Sequence, residues 1–317
     1  MKRILFICGS LNQTSMLYKV SQHLANDYEC FFTPYYGDHL IGLLAKAGAL
    51  DFTILGGNFK RQCEDFLISH RCAIDYEGRT NNYDLVVTCS DLLIQKNIRN
   101  KNIILVQEGM TDPENLTYKM VKTFKLPLYL ASTSTTGLSH AYQKFCVASE
   151  GFKRHFINKG VKPERLEVTG IPNFDNALEY TKNNFPYRDY ALVATSDARE
   201  TFKFDRRKAF IKKAKALAGQ RQMIFKLHPN ERVQRATKEI KSIVPEALVF
   251  HDGNAHEMVA NCSMLITQYS SLVFTGIALN KEVHSYFDVQ RLKEMAPIQN
   301  GGRSAENIAN VCKEYLQ

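Results

Sequence analysis

The chain is predicted to be an α/β protein of two parallel-sheet halves. Short apolar runs alternate with segments of helical spacing from the first residue, the alternation restarts near residue 190, and 317 residues exceed the usual size of one domain. Parallel strands covered by helices on both faces read as unbroken apolar stretches. In the first half these are Ile4–Cys8, Cys30–Thr33, Leu85–Thr88, Ile103–Val106 and Phe145–Ala148. Helical spacing marks Ser15–Ala25, Leu40–Ala47, Cys63–His70 and Glu150–Lys159 between them. Val161-Lys162-Pro163-Glu164-Arg165 is then a turn, Leu166–Val168 a short strand, and Gly170-Ile171-Pro172-Asn173 a break in regular structure. A first domain over 1–175 follows, with a hinge just after the break. The polar stretch 176–189, with Asn183-Asn184 and Pro186, is expected to be a linker.

The second domain, 190–303, repeats the pattern. Strands are expected at Tyr190–Thr195, Met223–Leu227, Ala247–Phe250, Met264–Thr267 and Glu282–Phe287. Helices are expected at Asp205–Ala218, Glu231–Ile243, Ala255–Asn261 and Leu272–Leu279, and a final helix within 304–317 has a choice of either half to pack on. Both halves are thus Rossmann-like, with a ligand cleft expected where their sheets face each other.

Composition narrows the partners. The formal charge of +9 favours an anionic one. The longest apolar runs, near Ile103–Val106 and Leu126–Ala131, are too short to cross a bilayer, and Met1-Lys2-Arg3 leads into a strand, so a cytoplasmic location is expected. Eight cysteines without a CxxC pair are expected to be reduced thiols. The helix Asp205–Ala218 carries Arg206, Arg207, Lys208, Lys212, Lys213 and Lys215 off its apolar face. A solvated basic face is the plain expectation, and peripheral contact with anionic headgroups at the inner face of the plasma membrane the sharper one. No nucleic-acid-binding module accompanies the charge, so nucleic acid is not an expected partner.

Candidate chemistry sits at the carboxyl ends of strands, where open α/β sheets bind ligands. Leu265-Ile266-Thr267-Gln268-Tyr269-Ser270-Ser271 is an apolar strand ending in hydroxyl residues before a helical stretch, a turn that aims N–H groups at an anion. In Phe225-Lys226-Leu227-His228-Pro229-Asn230, Pro229 ends the strand and holds His228 at the rim, where an imidazole can donate to a phosphate. Thr195 and Ser196 are grouped with these as donor-binding residues. In the first half, Val106-Gln107-Glu108-Gly109 places Glu108 as a general base, with Asp91 and Asp112 as substitutes, and Gly9 and Ser10 permit close ligand approach after the first strand. Each motif alone also has a structural reading: a serine capping a helix, a half-buried histidine, a glutamate closing a turn. No Walker loop or Asp-x-Asp occurs, so no metal site is expected.

The stretch from Phe145-Cys146-Val147-Ala148-Ser149-Glu150 to Gly160-Val161-Lys162-Pro163-Glu164-Arg165-Leu166-Glu167-Val168-Thr169-Gly170 resembles the end of the first domain in non-hydrolysing UDP-N-acetylglucosamine 2-epimerases. His228-Pro229-Asn230 and 265–283 continue the likeness, which spans roughly residues 85–290. It implies a GT-B fold. Where those epimerases have acidic residues in the late helix, one of them holding the ribose, this chain has Phe274 and Thr275. The turn Thr267-Gln268-Tyr269-Ser270-Ser271 instead resembles that of CDP-glycerol glycerophosphotransferases. Gln107-Glu108-Gly109, His228-Pro229 and Ser270-Ser271 are similar to the motifs of CMP-sugar transferases of the sialyl and Kdo type, with Gln107 in place of the first acid. The resemblance implies a metal-independent glycosyltransferase, or a glycerophosphotransferase-like enzyme, in bacterial surface polysaccharide synthesis. Its donor would be a cytidine- or uridine-activated substrate rather than a cofactor, and its acceptor a glycan or lipid-linked hydroxyl. An epimerase and a non-catalytic nucleotide-sugar binder are the alternatives.

Overall fold

The structure, a computed structural model, describes residues 1–196, 198–200 and 204–317. It divides into two compact units, Met1–Asp175 with Asn300–Gln317, and Asn176–Gln299.

The first unit runs β1 (Arg3–Cys8), α1 (Leu11–Gln22), β2 (Glu29–Pro34), α2 (His39–Lys46), α3 (Gly57–Ser69), β3 (Ala73–Ile74), β4 (Leu85–Thr88), β5 (Asn102–Val106), α4 (Leu116–Phe124), β6 (Lys144–Val147), α5 (Glu150–Lys159) and β7 (Leu166–Val168). Its strands form a parallel sheet of order β3-β2-β1-β4-β5-β6-β7. Ile4, Leu5, Phe6, Ile7 and Cys8 are all buried, as a strand covered on both faces must be. Helix α1 starts four residues before its expected position because Ser10 caps it, accepting from the Gln13 amide at 3.2 Å. Ser149 caps α5 in the same way, and Gly160, at a φ of 111°, ends it in the left-handed region.

Helix α4 was not expected from the sequence. Tyr118 and Val121 face inward while Leu116, Met120 and Phe124 face solvent, so apolar residues on both faces erase the helical period.

The second unit runs β8 (Ala191–Ala194), α6 (Arg207–Ala218), β9 (Met223–Lys226), α7 (Val233–Lys241), β10 (Leu248–Phe250), α8 (Ala255–Asn261), β11 (Met264–Thr267), α9 (Leu272–Ala278), β12 (Glu282–His284) and α10 (Val289–Glu294). Its parallel sheet has the order β10-β9-β8-β11-β12. Strand β12 stops short of Phe287 because Ser285 and Tyr286 fold over to donate to the Gln268 carbonyl at 2.9 and 3.2 Å. The last helix, α11 (Ser304–Glu314), packs on α1 in the first unit, where Asp175 accepts from the Ser304 amide at 2.8 Å.

Residues 176–189 are not a free linker. Phe185 and Tyr187 pack against the core of the second unit, Tyr180 stacks on His256 with ring centroids 4.6 Å apart, and Asn261 donates to Asn183 at 2.6 Å. The apolar rings in this otherwise polar stretch repay burial more than the polar residues repay hydration.

In each sheet the first strand of the unit lies centrally, with the chain winding to one side and then to the other. The switch points therefore fall between β1 and β4 in the first unit and between β8 and β11 in the second.

Candidate functional site

At the first switch point, Glu108 follows β5 and is gripped by the start of α1. Its Oε1 accepts from the Ser10 hydroxyl at 2.9 Å and from Asn12 Nδ2 at 3.4 Å, and its Oε2 from Gln13 Nε2 at 2.5 Å. Asn173, from the break before the unit boundary, donates to Asn12 Oδ1 at 2.5 Å and to the Asn12 carbonyl at 3.2 Å. Gly9 makes this packing possible, since a Cβ there would stand 2.0 Å from Gln13 Oε1. Glu108 is half-buried and held by the neutral donors Ser10, Asn12 and Gln13. Three neutral side chains thus orient the carboxylate, and Asn173 holds one of them in turn, an arrangement suited to a general base.

Its neighbour Gln107 is buried and structural. It donates to the Gly109 carbonyl at 2.8 Å and accepts from the Ala148 amide at 2.9 Å, joining the ends of β5 and β6. An ionised acid could not make the first of these bonds.

The two substitutes for Glu108 have other tasks. Asp91 is buried and accepts from the Gly137 amide at 3.0 and 3.1 Å and from the Ser139 amide at 3.1 Å. Burial pushes its carboxyl above the usual range, against the pull of those bonds. The turn it holds needs Gly137, at a φ of 87°, where a Cβ would crowd Phe145. Asp91 is thus a structural acid: it is only 1% exposed and its carboxylate is spent on the amides of this turn. Asp112 accepts from the Thr133 hydroxyl at 3.0 Å, and its own amide donates back at 2.9 Å, tying two surface segments together.

At the second switch point the residues named from sequence come together on adjacent strands. Thr195 and Ser196 follow β8, His228 and Pro229 follow β9, and Tyr269, Ser270 and Ser271 follow β11, with β8 paired to both neighbours. His228 Nδ1 accepts from the Asn230 amide at 3.3 Å, which places the proton of the neutral imidazole on Nε2. Ser270 Oγ accepts from the Leu272 amide at 3.3 Å, and Ser271 caps no amide with its hydroxyl. Tyr269 is exposed and packs edge-on against Tyr286 and Phe287, with centroids 5.5 and 5.0 Å apart. Lys226 turns away from this rim: its ammonium donates to the carbonyls of Leu227 and His251 at 3.0 and 2.7 Å, and burial lowers its pKa.

Beneath these residues lies a buried ionic network that the sequence did not reveal. Glu231, with a fully buried side chain, accepts from the Thr195 hydroxyl and from the His228 amide at 2.9 Å, and pairs with Arg207 at 2.8 Å. Arg207 also pairs with Asp205 at 2.9 Å and donates to the Ser196 carbonyl at 2.6 Å. Gln268 closes the ring, donating to Asp205 at 3.0 Å and accepting from Ser196 at 3.1 Å. The sequence puts Arg207 on the solvated basic face of α6, but its side chain is only 3% exposed, because two buried carboxylates compensate for its lost hydration. The signal that could have found this network is Glu231, an acid three residues after His228 at the rim of a strand.

No protein-family model matches the sequence, and no curated protein matches it. Solved structures do. The chain is similar to a putative UDP-N-acetylglucosamine 2-epimerase from Listeria monocytogenes, at 11% identity and a TM-score of 0.63, covering 100% of this chain and 97% of that one. It is similar to S. aureus MnaA in its structure with UDP, at 12% identity and a TM-score of 0.61, again covering 100% and 97%. The wall teichoic acid polymerase TagF, in a structure with CDPG, matches at 11% identity and a TM-score of 0.54, covering 99% of this chain and 88% of that one. The chain therefore has the GT-B fold, two Rossmann-like units with parallel sheets. At such identities the likeness fixes the fold alone.

Proposed function

We propose that this protein is a metal-independent GT-B transferase that takes a sugar or a related group from a cytidine- or uridine-nucleotide donor to a hydroxyl acceptor. The observation that carries the reading is that His228, Ser270 and Ser271 follow the carboxyl ends of β9 and β11, the two strands on either side of β8, beside the second switch point, where open α/β sheets bind nucleotides. The second unit holds the donor phosphate through the Nε2–H of His228 and the two serine hydroxyls. In the first unit Glu108 takes the acceptor proton as the acceptor oxygen bonds to the transferred group. The bond to the nucleotide phosphate breaks, its electron pair leaves on the phosphate oxygen, and the donors of the second unit stabilise that charge. Glu231 and Arg207 are positioning residues, holding the His228 and Ser196 backbones.

Epimerisation is the second reading, since several of the solved structures that share this fold are UDP-N-acetylglucosamine 2-epimerases. The chemistry of α9 weighs against it. Phe274 is buried there, and Thr275, also buried, is hydrogen-bonded to His256 at 2.8 Å, so those positions offer a ribose no carboxylate.

A thermal-shift comparison of CMP, CDP, UMP, UDP and GDP separates the two. At about 100 times its Kd a ligand of the native state adds roughly 2.7 kcal/mol, an upward shift of several degrees. A preference for CMP or CDP is expected, with loss of the shift in His228→Ala. A preference for UDP, together with C2 inversion of UDP-N-acetylglucosamine seen by proton NMR, would replace transfer with epimerisation.

A further inference from the structure

Among the described residues no helix is long and apolar enough to cross a membrane. The first unit nevertheless carries an unusual outer face. On α4, Leu116, Met120 and Phe124 recur at a spacing of four and form one stripe, opposite Tyr118 and Val121, which pack on Ala131, Leu128 and Leu138. Leu116 is 72% exposed and Phe124 67%. The chain leaving the helix adds Leu126, Tyr129 and Leu130, all exposed. Exposed large apolar residues scattered singly are ordinary, but six within fifteen residues form a patch that calls for a partner.

The charges around the patch state what the partner is. Between 114 and 130 the chain carries Lys119, Lys122 and Lys125 against one acid, Glu114. All three lysines are exposed; Lys122 donates to the Lys159 carbonyl at 2.9 Å, while Lys119 and Lys125 stand beside the stripe. Apolar side chains flanked by lysines, on a helix too short to span, are what an interfacial helix needs: the stripe enters the acyl boundary and the ammonium groups meet anionic headgroups. The other exposed apolar helix face, Leu40, Leu43 and Leu44 on α2, has only Lys46 on its helix and lacks this complement. Helix α6 shows the converse: Lys208, Lys212, Lys213 and Lys215 are exposed, but its apolar Phe210, Ile211 and Ala214 are all buried, so it has nothing to insert.

We propose that the outer face of α4 and the segment to Leu130 is a peripheral membrane-docking surface for bilayers rich in anionic lipid. Co-sedimentation of the full chain with vesicles of phosphatidylcholine and phosphatidylglycerol at 3:1, and of phosphatidylcholine alone, tests it. Binding to the anionic vesicles that weakens with salt is expected. Met120→Glu with Phe124→Glu should lower it by about tenfold or more, and Lys119→Ala with Lys125→Ala should lower it on anionic vesicles. Both pairs are exposed, so melting temperatures should stay at wild type, and Lys208→Ala with Lys212→Ala on α6 should leave binding unchanged. Failure of the wild-type chain to bind, equal binding by the α4 variants, or loss of binding only in the α6 variant would overturn the proposal. So would sedimentation velocity showing a dimer that Met120→Glu with Phe124→Glu dissociates, since the face would then join copies of this chain.

Discussion

Lys159 shows how one side chain records its surroundings. It is buried at the end of α5, donates to the Ser134 carbonyl at 2.5 Å, and stands 5.7 and 5.4 Å from the ring centroids of Tyr118 and Phe156. Burial lowers its pKa from 10.5 to about 8, Glu114 and Asp91 opposing the shift. Between those two values the unfolded chain holds a proton that the folded chain has released, so this residue's contribution to stability rises with pH across that window. The full cost of burying the charge is present below about pH 8, on the order of 3 kcal/mol. Lys159→Met removes that cost. Its gain over wild type in urea midpoint is expected to be larger at pH 6.5 than at pH 9.5, and an equal gain at both would show that the ammonium is not strained by burial.

At the scale of elements, the strand ends of the second unit are held by ions rather than by packing alone. The Asp205–Arg207–Glu231 group is buried, so removing one partner strands the others' charge. Glu231→Ala is expected to cost about 3 kcal/mol and lower the melting temperature by several degrees, measured by calorimetry. Arg235→Ala breaks the half-exposed pair with Glu200 and should cost less than about 1 kcal/mol. Comparable losses in the two variants would deny the network its structural role. Elements also explain the missed assignments. Strand β3 has only two residues, and α4 carries apolar residues on opposite faces, so neither presents a period to read.

For the whole molecule, the C-terminal segment belongs to the unit that begins the chain. Ile308, Ala309, Val311, Cys312 and Leu316 are buried there, Lys2 donates to the Leu316 carbonyl at 2.6 Å, and Asn307 to the Thr169 carbonyl at 3.2 Å. Deleting residues 300–317 exposes the apolar surface that these side chains cover, about 5 kcal/mol of burial. Hydrogen exchange should then accelerate in β1 and α1 while β8 and β9 keep their protection. Equal acceleration in both units would mean that they do not unfold separately.

The sequence by itself determined the α/β class, most of the central strands, and the carboxyl-end positions of Glu108, His228, Ser270 and Ser271. Those features are local: an unbroken apolar run buries on both faces wherever it occurs, and a proline or small polar residue ends it in place. Only the tertiary structure decided which polar residues are buried in the scaffold and which stay half-exposed at the strand ends. Asp91 and Glu108 look alike along the chain, yet one is spent on the amides of Gly137 and Ser139 and the other is held half-exposed by Ser10, Asn12 and Gln13. Arg207 reads as one more basic residue of α6 until Asp205 and Glu231 close on it. A charged side chain's task is set by partners distant in sequence, because desolvation and pairing depend on what surrounds it in space.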